Sequence, residues 1–304
     1  MATRQGRDGH GMMPTGAGSR TARRRELGAL LRTLREQEPR ALTIRQVADL
    51  LGVSHSKISR LENGRRGASR TDILQLCELY RVDDQHRARL TELAAKGKQR
   101  AWWPPDSLPN SDYIGLEAEA ASISDWGLAL VPGLLQTPDY ASAIVRSAVP
   151  PQKPRIIEEV VRVRMERQRR LFSSDGPSFD AVVDESVLHR VVASPAVMLA
   201  QLQQLLTMSD LPKVTIRVVP YDAGATPAGV TKFRILRFAH RDIADIVLIE
   251  ELTSQRQLED PGQVKVYNAT FRRLLDLSDD PDASRSKIRR QISAYESRIQ
   301  TQSR

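Results

Sequence analysis

Cysteine occurs once in 304 residues, as Cys77. A single thiol excludes an internal disulfide and any metal site built on paired cysteines, and a reducing interior is its natural compartment. Long apolar runs are missing as well. None approaches the roughly 18 residues that a membrane-spanning helix requires, and the N-terminus has no apolar signal core, so a cytoplasmic protein without membrane contact is expected. Catalytic signatures are also absent: there is no Gly-x-Gly-x-x-Gly, no Gly-Lys-Ser phosphate loop and no Gly-x-Ser-x-Gly elbow. The adjacent acids Asp184-Glu185 and Glu250-Glu251 would point to opposite faces of a strand, and His189 and His240 stand alone. The pattern argues for no enzyme, no metal and no cofactor.

What is abundant is positive charge, and it is unevenly placed. Residues 1–100 hold 21 Lys+Arg against 11 Asp+Glu, whereas residues 101–304 hold 25 against 26. The whole excess of the +9 chain therefore lies in its first third, the electrostatic footprint of a polyanion-binding domain followed by a neutral one.

Within that third, Thr43 to Gly64 reads as two short helices joined by a tight turn. Ile44, Val47, Ala48 and Leu51 recur on one helical face. Thr43 and Gln46 form a capping box, and Gly52 supplies the positive φ that a helix C-terminus favours. Ser54 offers a second N-cap, and a helix over 55–62 turns Ile58 and Leu61 inward before Asn63-Gly64 stops it. This is a helix-turn-helix whose second helix is placed to enter a major groove. His55, Ser56 and Arg60 face outward with Lys57 beside them. Arg45, Arg65 and Arg66 flank them as phosphate contacts, and Ser54 and Asn63 lie at the helix ends within reach of DNA.

Ala48, Gly52-Val53-Ser54, Ile58-Ser59 and Glu62-Asn63-Gly64 resemble the helix-turn-helix of the phage-repressor and Cro-like (XRE) regulators. The glutamine usual in that family at the first helical position is Ile44 here. The resemblance implies a lambda-repressor-like fold bound to double-stranded DNA.

Around this motif the chain divides into a basic arm (1–20), an all-α five-helix domain (21–97), a linker (98–110) and an α+β domain (111–304). Leu27, Leu30, Leu31 and Leu34 mark the first helix, with Arg23, Arg24, Arg25, Arg32 and Arg35 expected outside. Ile73, Leu76, Cys77 and Tyr80 mark the fourth, and Leu90 and Leu93 the fifth. Pro104, Pro105 and Pro109 break the chain after Trp102 and Trp103, which read as a clamp tying the linker to a domain.

Beyond the linker, a helix is expected from Tyr113 to Asp125 and another opening at Thr137-Pro138. A third, over 155–171, carries five arginines interleaved with glutamates and reads as solvated or partner-facing. Strands are expected over 179–183, 214–219, 231–238 and 246–249, the last as a central strand; a turn-rich loop spans Tyr221 to Gly229. Helices follow over 195–206, from Pro261 and from Asp282. Ile288, Ile292, Tyr295 and Ile299 form an apolar stripe on the last helix with no evident partner in the chain, a candidate dimer interface.

Pro132-Gly133-Leu134-Leu135-Gln136-Thr137 with Tyr140-Ala141, after Leu116-Glu117-Ala118, resembles the C-terminal domain of the actinobacterial WhiJ-like regulators. That resemblance implies a sensing or partner-binding role and association with very small proteins encoded nearby. Two modulators follow: a small molecule held between sheet and helices beside Tyr221, or a small protein docked on the 131–145 motif. The expected function is a homodimeric transcriptional regulator. The alternatives are an antitoxin-like protein whose main role is to bind a small protein, and an enzyme fused to a DNA-binding module.

Overall fold

The computed structural model describes residues 20–37, 41–64, 66–97, 112–148, 151–170, 173, 176–229, 231–239, 244–251 and 255–302. The arm before Arg20, Arg65, His240 and the linker with Trp102 and Trp103 lie outside them.

The first region is helical: α1 (Arg20–Glu36), α2 (Ile44–Leu51), α3 (His55–Glu62), α4 (Arg70–Leu79) and α5 (Asp84–Lys96). Leu27, Leu31, Val47, Ile58, Leu76 and Leu90 meet in one core, and Cys77 is buried among them. Each helix after α1 opens on a polar N-cap, Thr43, Ser54, Ser69 or Asp83, whose side chain accepts a backbone N–H of the first turn.

The second region contains α6 (Asp112–Glu119), β1 (Ser122–Gly127), α7 (Pro138–Arg146), α8 (Pro154–Arg169), β2 (Ser178–Asp184), α9 (Ser186–His189), α10 (Pro195–Ser209), β3 (Val214–Val219), β4 (Phe233–Arg237), β5 (Ile246–Glu250), β6 (Gln255–Leu258), α11 (Pro261–Leu277) and α12 (Pro281–Gln302). The strands form one mixed sheet in the order β3-β2-β1-β4-β5-β6. β1, β2 and β3 are parallel and joined by helical crossovers; β4, β5 and β6 run antiparallel. Ile123, Phe179, Ala181, Val183, Ile216 and Val218 pack on one face against α10 and α12. Trp126, Val182, Phe233, Ile235 and Val247 pack on the other against Phe271 and Leu274 of α11. Cover on both faces is why β5 is apolar almost without alternation.

Several expectations are corrected. The expected helix to Asp125 stops at Glu119, and Ser122 to Gly127 becomes a central strand instead. Its Ser122, Ser124 and Asp125 carry no apolar alternation that would announce it. β5 is an interior strand as expected, but its outer neighbour, the edge strand β6, is an addition to the expected set. Most consequential is α12, which is not unpartnered: Ile288 and Tyr295 are buried, Ile292 packs on the same core, and the Tyr295 hydroxyl donates to the Leu188 carbonyl at 3.3 Å. That stripe closes the chain's own core over α10 and β3 and is not a free dimer face.

The two regions touch. α1 lies against α6, and the Arg25 guanidinium reaches the β6 edge, donating to Gln257 Oε1 at 2.6 Å and pairing with Glu259 Oε1 at 2.6 Å.

Candidate nucleic-acid interface

The turn between α2 and α3 is fixed by local chemistry. Thr43 Oγ1 accepts from Gln46 N–H at 3.2 Å while Gln46 Oε1 accepts from Thr43 N–H at 2.8 Å, closing the capping box. Gly52 adopts φ 64° with open space around its α-carbon, so what demands glycine there is the left-handed backbone rather than room. Val53 N–H then returns to Ala48 O at 2.9 Å, and Ser54 Oγ accepts from Lys57 N–H at 3.2 Å to start α3.

What holds α3 against the body of the domain was not read from the sequence. Glu62 is buried at the end of α3 and receives a two-pronged hydrogen bond from Arg35 of α1, Nε to Oε1 at 2.7 Å and Nη2 to Oε2 at 3.0 Å. Arg35, expected outside, is only 7% exposed. The fork geometry suits a carboxylate, and the guanidinium is fixed further by donating to the Leu42 carbonyl. Gly28 permits the approach: a Cβ there would lie 2.3 Å from the Glu62 carbonyl oxygen and 2.7 Å from that of Leu61. The signal available in sequence was a glycine set inside the Leu27–Leu31 repeat. Gly64, at φ 65°, likewise sits directly on the Arg25 backbone.

The outward residues fall into two groups. His55, Ser56, Arg60, Arg45 and Arg66 are exposed. Arg60 lies along its own helix, its Nε donating to Ser56 O at 3.0 Å and its Nη2 to Ser56 Oγ at 3.2 Å. Asn63 accepts from Arg32 at 2.9 Å at the end of α3. Lys57 is different: it turns toward α4 and pairs with Asp72 at 2.6 Å. Burial alone would raise the Asp72 carboxyl, but the Lys57 ammonium and the Ser69 N–H and hydroxyl outweigh it and hold it below its ordinary value. Lys57 thus staples α3 to α4.

In the second region the 131–145 motif is interior scaffolding. Pro132, Leu134, Leu135, Gln136 and Tyr140 are buried, with Gly133 and Thr137 half-buried. Its backbone is satisfied by side chains: Gln136 donates to Val131 O at 2.6 Å, Gln201 to Leu135 O at 2.8 Å, and the Tyr140 hydroxyl accepts from Val131 N–H at 3.2 Å. Leu134, Leu135, Gln136 and Tyr140 are thus consumed by the core, whereas Pro138 and Asp139 of the same stretch remain exposed. Tyr221 is 61% exposed, with its ring 5.7 Å from that of His189. Its loop is tied to the sheet by the Trp126 indole, which donates to Ala228 O at 3.1 Å.

A buried ion network lies beside this motif. Arg167 forks onto Glu117 at 2.6 and 2.7 Å, Arg234 reaches the same carboxylate at 2.6 Å, and Arg234 also holds Asp125, its cross-strand partner, at 2.7 Å. Burial would raise the Glu117 carboxyl; the two guanidiniums overcome it and hold it below the ordinary range. The arginine-rich α8, expected to be solvated, therefore turns Arg167 into the core. Arg164 hydrogen-bonds Gln136 from the same face.

Capped helices, a left-handed glycine turn and an outward polar face on α3 define the N-terminal region as a helix-turn-helix, and residues 26–90 match the family described as Helix-turn-helix domain. Residues 110–290, more than half of the chain, match the family described as Domain of unknown function (DUF5753), and the chain belongs to that family. No curated protein and no solved structure matches it.

Proposed function

We propose that this protein is a sequence-specific transcriptional regulator that reads double-stranded DNA with α3, and that its sheet domain modulates the reading. The observation that carries the proposal is the mounting of α3. A buried Arg35–Glu62 pair and the close approach at Gly28 fix one side of the helix, leaving His55, Ser56 and Arg60 exposed on the other. A rigidly seated helix with a short polar face suits major-groove readout. The XRE-like motif and the resemblance to WhiJ-like regulators support the same reading. A single motif reads few base pairs, so the proposal includes a homodimer on two half-sites. It includes no catalytic activity.

Of the two modulators, a small molecule is favoured. Leu134, Leu135, Gln136 and Tyr140 of the docking motif are buried, whereas a cleft of about 560 Å³, away from the Tyr221 loop, opens between α11 and the far end of β4. The test is selection of bound duplexes from a random library by the full chain. Enrichment of two related half-sites about 10 base pairs apart is expected. Retention of duplexes without sequence enrichment would overturn the reading.

A further inference from the structure

The cleft beside α11 has a composition that its volume alone does not explain. At about 560 Å³ it falls in the range of roughly 300–1,000 Å³ typical of small-ligand sites. Val264, 8% exposed, is the buried apolar part of its lining, flanked by the exposed Pro261 and Ala269. Arg237 forms part of the wall and is already committed, donating to Ser124 Oγ at 2.8 Å and Asn268 Oδ1 at 2.6 Å. Both carboxylates of the lining are engaged as well, Asp245 with Arg237 at 3.9 Å and Glu259 with Arg25 at 2.6 Å. Lys265 and Arg272 differ. They stand at i and i+7 on the cleft side of α11, are exposed, and make no ion pair or hydrogen bond among the described residues. The cleft thus offers a buried apolar residue in Val264, a fixed polar wall and two uncommitted cations on one rim.

We propose that this cleft binds a small organic anion with an apolar body, its charge held by Lys265 and Arg272 and its body laid over Val264. Glu259 makes the site more than a surface pocket. Its carboxylate lines the cleft and also holds Arg25, whose backbone supports Gly64 at the end of the reading helix. An anion beside Glu259 disfavours that carboxylate's position by like-charge repulsion and so biases the α1–β6 contact. This coupling, unlike the binding, rests on the regulator reading above.

Calorimetry on the full chain tests the site without DNA, using 1-naphthoate as the probe and comparing neutral 1-naphthylmethanol and inorganic phosphate. Saturable binding of naphthoate is expected, with each comparison ligand at least about tenfold weaker. A similar loss of naphthoate affinity is expected in Lys265→Glu/Arg272→Glu, two exposed positions whose exchange leaves the core untouched. Absence of naphthoate binding, equal binding of either comparison ligand, or full affinity in the double variant overturns the site. Duplex affinity with and without naphthoate then tests the coupling: a shift in the native chain that disappears in Glu259→Gln supports it, and no shift overturns it. A chain that binds naphthoate but no duplex at all would overturn the regulator reading while the site stands.

Discussion

In the helical region Arg45, Arg60, Arg66 and Arg70 are exposed around α2 and α3, while Arg35 is drawn inside to hold Glu62. In the sheet region Arg167 and Arg234 are the buried ones, locked to Glu117 and Asp125 across strands and helices far apart in sequence. Composition alone records only that one region is basic and the other neutral. The structure shows that the first encloses one Arg35–Glu62 pair and leaves cations exposed around α2 and α3, and that the second encloses Arg167 and Arg234 with Glu117 and Asp125 while other cations such as Lys265 and Arg272 stay on its surface.

The largest effect expected from breaking this contrast is at Arg234. Arg234→Met leaves Asp125 buried without its cation and Glu117 with only one. Loss of about 3–5 kcal/mol is expected, read as the unfolding free energy in urea. A change within error would show that the network contributes no net pairing. Next is Gly28→Ala, which drives a methyl group into the Glu62 and Leu61 carbonyls. It is expected to cost about 1–3 kcal/mol and to abolish duplex binding by displacing α3, with the sheet region left folded.

Acid sharpens the comparison further. Glu117 titrates below its ordinary value in the folded chain, so the stability it provides is complete above about pH 4.3, the usual glutamate value, and is lost as pH falls through the folded one. Urea midpoints from neutral pH down to about 3 should decline along this limb, and the decline should be shallower in Glu117→Gln. Identical limbs would remove Glu117 from the acid response. The smallest effect belongs to Arg45 and Arg66: replacing either with alanine should weaken all duplexes alike and lower the slope of log affinity against log salt by about one.

The parts legible in sequence were those set by neighbours within a few residues. Thr43, Gln46, Gly52 and Ser54 each act on backbone no more than four positions away, and the structure keeps all of their roles. β3 was equally legible because Val214, Ile216 and Val218 alternate with Thr215 and Arg217. Strand β1 was not, since Asp125 is neither apolar nor alternating and is accommodated only by Arg234, 109 residues away. The partners of the α12 stripe are hidden from the sequence for the same reason: α10 and β3 are brought to it by topology. In the candidate site, the exposed positions of α3 follow from helical period, whereas the turn of Lys57 toward Asp72 depends on where α4 packs.

On the proposed function, exposed side chains of the α3 helix read base sequence. This is tested most directly by measuring Arg60→Ala on the selected duplex and on a scrambled duplex at one salt concentration. Expected are a loss of about 1–3 kcal/mol on the selected duplex, relaxed preference at one base position, and little change on the scrambled one. Equal weakening on both would contradict that reading and reduce Arg60 to a phosphate contact.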